Sequence, residues 1–185
     1  LAKMNVSSLS TVAIFGLGPV GLSALLIAKG LGATVIGLEL VDERLKLGQK
    51  LGIDHVIDVK TATVVPEVKS LTNAKGADVA IDFSGSNSAR LNAINCVRFN
   101  GKVAFIGHGD EKLAITPSDL IRRDVTIRGS PIFKTETYFE MADFLIKNEV
   151  SLEKTVTHTF NLDQANEAFR LFDSGRTGKI AFIWD

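Results

Sequence analysis

The stretch TVAIFGLGPVGLSALLIAKG, residues 11–30, constrains the fold more than any other. A β-branched and aromatic run, Thr11 to Phe15, meets Gly16, Gly18 and Gly21 in Gly-x-Gly-x-x-Gly spacing and passes straight into a long apolar segment. Such glycines also occur in strand-to-helix turns that hold nothing, so the context decides. A dinucleotide-binding turn needs a buried strand ending at the first glycine, a helix opening near the second, and an acid about 20 positions further on. All three are present. Pro19 falls at the first helical position, where a missing N–H is tolerated, and the helix is expected to reach Lys29 before Gly30 and Gly32 end it. ATVIGL, residues 33–38, reads as a second buried strand ending at Glu39.

Each part has a physical task. Gly16 permits the tight turn, Gly18 lets bare backbone approach a pyrophosphate, and Gly21 lets the helix pack closely on the strand. The helix N-terminus, with Pro19 and Val20 at its start, offers unpaired N–H groups and a positive dipole end to the phosphates. Glu39 is expected to accept hydrogen bonds from the adenosine ribose hydroxyls.

Strand and helix patterns go on alternating, as they do in a parallel sheet covered by helices on both faces. Further strands are expected at His55–Val59, Ala77–Phe83, Lys102–Gly107 and Asp124–Arg128. Helices are expected at Asp42–Leu51, Val64–Asn73, Asn87–Val97 and Pro117–Arg122, with Asp42 and Gly52 as caps of the first. After Gly129 the character changes. An amphipathic helix over 133–149, with Phe139, Ala142, Phe144, Leu145 and Ile146 on its apolar side, precedes a β segment at Thr155–Phe160. A helix at Leu162–Phe172 and a strand at Lys179–Trp184 close the chain. The fold class is therefore α/β, a Rossmann-type doubly wound parallel sheet over residues 1–132 with a C-terminal α+β segment over 133–185.

Composition excludes several other classes. With 21 basic and 21 acidic residues the net charge is zero, so nothing points to nucleic acid or an anionic membrane. Apolar runs are broken by Gly, Lys or Asp well short of a membrane span, and LAKMNVSSLS lacks the apolar core of a secretory signal. Cys96 is the single cysteine, which excludes an internal disulfide and a multi-cysteine zinc cluster. A cytoplasmic location is expected.

The run VAIFGLGPVG, the segments HVID and ADVAIDFSGS, the turn GKVAFIGHG and the ending THTFNLDQANEAFRLFDSGRTGKIAFIW together resemble the medium-chain, zinc-type alcohol dehydrogenases. The resemblance covers essentially the whole chain, in order. It implies a coenzyme domain followed by a segment that returns to the catalytic domain, with the catalytic domain itself and its zinc ligands not on this chain. It implies a parent oxidoreductase that moves hydride between an alcohol or polyol and NAD, with zinc lowering the pKa of the bound hydroxyl. The 185-residue chain alone is then expected to bind cofactor without turning over an alcohol.

Residue by residue, Gly16, Gly18, Pro19, Val20 and Gly21 match the phosphate turn, and Glu39 matches the ribose-binding acid, more often Asp. Arg44 matches a basic position beside the adenosine. Ser84 and Gly85 match the loop after the fourth strand, on the adenine and ribose side. Ile106, Gly107 and His108 match the turn whose backbone meets the nicotinamide, and Lys179 matches a base on the pyrophosphate. No catalytic residue and no metal ligand is assigned.

Other readings stay open beside these. Arg44 also fits a solvated helix charge, Ser84 a helix cap and Lys179 a surface lysine, while His108 suits a proton relay. His55 and His158 read as structural or exposed, and Cys96 as a small packed hydrophobe. A zinc-free quinone or enoyl reductase of the same superfamily, or a non-catalytic nucleotide-sensing module, would carry the same glycine turn. The resemblance also implies a homodimer or homotetramer joined through the last strand of the sheet, whose edge would otherwise stand open.

Overall fold

The computed structural model describes residues 1–130 and 135–184. After a 3-10 turn at Ala2–Met4 come β1 (Thr11–Phe15), α1 (Pro19–Gly30), β2 (Thr34–Glu39), α2 (Asp42–Lys50) and β3 (His55–Asp58). They are followed by α3 (Val64–Leu71), β4 (Ala77–Asp82), α4 (Asn87–Cys96), β5 (Val97–Phe105), α5 (Pro117–Arg123) and β6 (Thr126–Gly129). The C-terminal segment contributes α6 (Thr135–Lys147), β7 (Val156–Phe160), α7 (Ala165–Asp173) and β8 (Lys179–Phe182).

Strands β1 to β6 form one all-parallel sheet in the order β3-β2-β1-β4-β5-β6. The chain works outward from β1 to β3 and then crosses back through α3 to place β4 on the other side of β1. This is the doubly wound order, and its reversal opens a crevice between the carboxyl ends of β1 and β4. The alternation along TVAIF explains why β1 lies at the centre. Val12 and Ile14 point to the face covered by Leu22 and Leu25 of α1, whereas Ala13 and Phe15 point to the face covered by Val68 of α3 and Ala93 of α4. Both faces are apolar, so the strand is buried on both sides.

Several boundaries differ from the sequence reading. The second strand begins at Thr34 rather than Ala33. Asp42 is the first residue of α2 and not its cap; Val41 takes the cap position, and its N–H is accepted by Glu39 Oε1 at 3.1 Å. Gly52 does sit just beyond that helix at φ +87°. The largest difference is β5, which starts at Val97. Val97 pairs with Ala77 before a register shift, and Asn100 at φ +56° carries the chain past the irregularity. Asn161 and Gln164 form a capping box on a single 3-10 turn, Leu162–Gln164, that leads into α7.

The division at 132/133, together with Phe133 and Lys134 of the expected helix, lies outside the described residues. Within α6, Met141 and Phe144 line a cleft against α1, while Phe139 and Ile146 are exposed. The helix is apolar on more than one side and only one of them docks. Strands β7 and β8 pair in parallel as a separate two-stranded sheet, with α7 connecting them. No helix among the described residues is long and apolar enough to cross a membrane.

Candidate functional site

The glycine loop leaves β1 at the crevice. Gly16 has φ +93°, in the left-handed region, and its N–H donates to the Leu38 carbonyl of β2 at 2.8 Å. A Cβ on Gly21 would sit 1.9 Å from the Gly16 carbonyl oxygen, so only glycine allows α1 to lie this close to the loop. Gly18 is the N-cap of α1 and brings no side chain; Pro19 follows at the first helical position. The first amides of α1 therefore open toward the crevice without a side-chain cap, which is the arrangement that receives an anion.

Glu39 ends β2 beside this loop and is only 5% exposed. Its Oε2 accepts the Leu17 N–H at 2.8 Å, and its Oε1 accepts those of Leu40 at 2.7 Å and Val41 at 3.1 Å. A carboxylate offers about four acceptor positions, so three backbone bonds leave room for one hydroxyl. Glu39 thus fixes the loop it borders as well as facing the crevice. Arg44 of α2 places Nη1 3.8 Å from Glu39 Oε2, and its guanidinium lies over Gly18. Its Nε donates to the Thr177 carbonyl at 3.3 Å, tying α2 to the C-terminal segment 133 positions away.

On the other side of the crevice, the loops after β4 and β5 stack backbone to backbone. The N–H groups of Ile106 and Gly107 both donate to the Asp82 carbonyl, at 2.9 and 3.0 Å. Side chains at Gly85, Gly107 or Gly109 would drive into the neighbouring loop, and one at Gly16 would touch Ser84. Ser84 does not cap α4. Its hydroxyl donates to Asp82 Oδ1 at 2.6 Å, while Ser86 occupies the cap position. His108 is exposed at the mouth of this stack.

Lys179, exposed at the start of β8, shares a hollow of about 360 Å³ with Pro19, Val20, Phe169, Phe172 and Phe182. The C-terminal segment therefore walls the crevice at the opening of α1. The histidines are not gathered: His55 lies at the amino end of β3, and His158 stacks on Phe160 in β7. Among the described residues, no three His, Cys, Asp or Glu side chains are grouped to hold a metal ion. Cys96 is fully buried, and burial pushes its thiol up to about 12.

Sequence reasoning missed Asp82, Arg90, Thr177 and the Phe169–Phe172 wall. For Asp82 a signal existed, an acid ending a buried strand as Glu39 does. The others depend on contacts between distant segments.

Residues 19–147 match the family described as zinc-binding dehydrogenase. An uncharacterised zinc-type alcohol dehydrogenase-like protein of Escherichia coli is 34% identical over 97% of this chain and 51% of its own length. The sorbitol dehydrogenase of Bacillus subtilis is 33% identical over 90% of the chain and 48% of its length. Among solved structures, the alcohol dehydrogenase TADH from Thermus sp. ATN1 superposes with a TM-score of 0.88 at 25% identity, covering 99% of this chain and 53% of the other. The chain spans about half the length of the curated relatives it matches.

Proposed function

Because this chain belongs to the zinc-binding dehydrogenases, a family of oxidoreductases, we propose that it is the coenzyme-holding part of an NAD-dependent alcohol or polyol dehydrogenase. One observation carries the reading. The uncapped N-terminus of α1 opens onto the β1/β4 switch point beside the buried carboxylate of Glu39. A nicotinamide ring bound here supplies the site that accepts or gives a hydride.

The residues themselves bind and orient. The first amides of α1 and the backbone of Gly18 take the pyrophosphate, and Lys179 adds a positive charge to it. Glu39 accepts a ribose hydroxyl at its remaining position, and Arg44 closes over the same ribose. Ser84 and Gly85, which the resemblance put on the adenine and ribose side, follow β4 on the opposite side of β1 from Glu39, and we place them instead with Ile106, Gly107 and His108 along the nicotinamide half. Phe169, Phe172 and Val20, exposed along the hollow, form an apolar wall that a bound dinucleotide would cover. No zinc-ligand set lies among the described residues, so no step is assigned to a metal, and the 185-residue chain alone is expected to show no zinc-dependent oxidation of alcohols.

A buried carboxylate beside the ribose would repel a 2′-phosphate, so NAD should bind more tightly than NADP. Calorimetric titration with both tests this. Equal or tighter binding of NADP overturns the reading, and Glu39→Ala should narrow the difference. Strand β6 forms one outer edge of the sheet, and we place a homodimer or homotetramer contact there. A monomer in sedimentation at micromolar concentration would refute it. A cytoplasmic location accords with the single, buried, unpaired Cys96.

A further inference from the structure

Resting on the dinucleotide reading above, we propose that Arg90 and Asp82 form a buried ion pair that positions the two loops bordering the nicotinamide half of the cofactor. Glu39 marks the β2 side as the adenosine side, and the pyrophosphate belongs at α1. The rest of a dinucleotide crossing the switch point then lies over the carboxyl ends of β4 and β5. Asp82 and Arg90 lie beneath that place.

Asp82 ends β4 and is 0% exposed, and Arg90 of α4 is 8% exposed. Asp82 Oδ1 accepts the Ser84 N–H at 2.9 Å, the Ser84 hydroxyl at 2.6 Å and the Gly85 N–H at 3.2 Å. Its Oδ2 accepts Arg90 Nε at 3.3 Å. The other arms of the same guanidinium donate to the loop after β5: Nη2 to the Gly107 carbonyl at 2.8 Å and Nη1 to the Gly109 carbonyl at 3.3 Å. The Phe105 ring lies 5.6 Å beneath the guanidinium carbon. One planar fork thus joins the two loops, with a second link farther out where Asn87 Nδ2, at the start of α4, donates to the Lys112 carbonyl at 3.0 Å.

Stability alone does not account for the pair. A buried ion pair is often no more stabilising than apolar residues of equal volume, whereas its fixed directions set where neighbouring backbone lies. Arginine suits the task because its donors lie in one plane at fixed angles; an ammonium is a point charge on a flexible stem. The molecule also holds a comparison. At the amino end of the same strand, Asp78 accepts Arg98 Nε at 2.6 Å and the Thr11 N–H at 2.7 Å. That pair has similar chemistry and borders no crevice loop.

The test compares NADH with ADP-ribose, which has the adenosine and pyrophosphate but no nicotinamide. Dissociation constants for both are measured by calorimetry, together with melting temperatures, on the full chain and on Arg90→Met, Arg90→Lys and Arg98→Met. Arg90→Met should leave ADP-ribose nearly unchanged and weaken NADH by about tenfold, as expected for losing charge-assisted bonds that orient one half of a site. Arg90→Lys, which keeps the charge beside Asp82 but not the fork, should shift the same ratio with less loss of melting temperature, and it decides the matter if Arg90→Met does not fold. Arg98→Met should lower the melting temperature and leave the ratio alone. Equal weakening of both ligands by the Arg90 variants, no weakening of either, or an equal ratio shift in Arg98→Met overturns the proposal. If the unsubstituted chain binds neither ligand, the dinucleotide reading itself fails and this inference falls with it.

Discussion

Replacing Gly21 with alanine puts a methyl carbon 1.9 Å from the Gly16 carbonyl oxygen and 3.0 Å from its carbon. Neither side can swing away, because one is the backbone of α1 and the other a loop held at φ +93°. The helix must retreat from β1 by about 1 Å to reach even a tight contact. Overpacking of this kind costs about 1–3 kcal/mol. In a chain of this size each kcal/mol lowers the melting temperature by roughly 2–4 °C. The functional loss should be larger, since the same retreat carries the open amides of α1 away from the phosphates, and NAD affinity should fall by about tenfold or more. Gly52→Ala is the matched control. Gly52 is also left-handed, at φ +87°, but has nothing within 4 Å of a built Cβ and sits at the far end of the sheet. It should lose about 1 kcal/mol to backbone strain and keep its affinity for NAD. Melting curves and calorimetry on both variants check this. Wild-type affinity in Gly21→Ala, or equal loss in Gly52→Ala, would refute the reasoning.

Two other outcomes follow from groups remote from the crevice. Cys96, buried with its thiol raised to about 12, should resist maleimide at pH near 8 under native conditions and react readily in denaturant; fast native labelling would contradict its burial. Burial opposes ionisation of Asp54, but the Lys29 ammonium at 2.7 Å and the Val35 N–H at 2.7 Å outweigh it and hold the carboxyl below its ordinary range. Its stabilising effect is therefore complete above the unfolded value near about 4 and fades as pH falls through the lower folded value. Asp54→Asn should flatten that acid limb in urea midpoints measured against pH, and an unchanged slope would count against the assignment.

What could be read from the sequence was what depends on near neighbours. Thr11 to Phe15 declared a doubly buried strand through residue type, Pro19 declared a helix start, and the glycine spacing fixed the turn between them. The β5 start could not be read this way. Val97 follows a helical pattern without a break, and only its pairing with Ala77 makes it a strand. Arg44 shows the same limit: its sequence neighbours are helical charges, while its carbonyl partner, Thr177, comes from a segment folded back over 133 positions. Arg90 reads as one more helix residue until Gly107 and Gly109 are placed around it.

The small sheet of β7 and β8 pairs only with itself among the described residues. Two strands alone are marginally stable at best in water. Their persistence rests on ties such as Arg44 to the Thr177 carbonyl and the seating of Gly178 against Leu47. The amides of Val156–Phe160 and Lys179–Phe182 should then exchange with deuterium as one block, ahead of those in β1 and β4. Lys179 and the Phe169 wall belong to this block, while the glycine loop belongs to the slow core. A dinucleotide spanning both would have to slow the exchange of the block in proportion to its occupancy, so the crevice is expected to open at one wall and a bound dinucleotide to hold that wall shut.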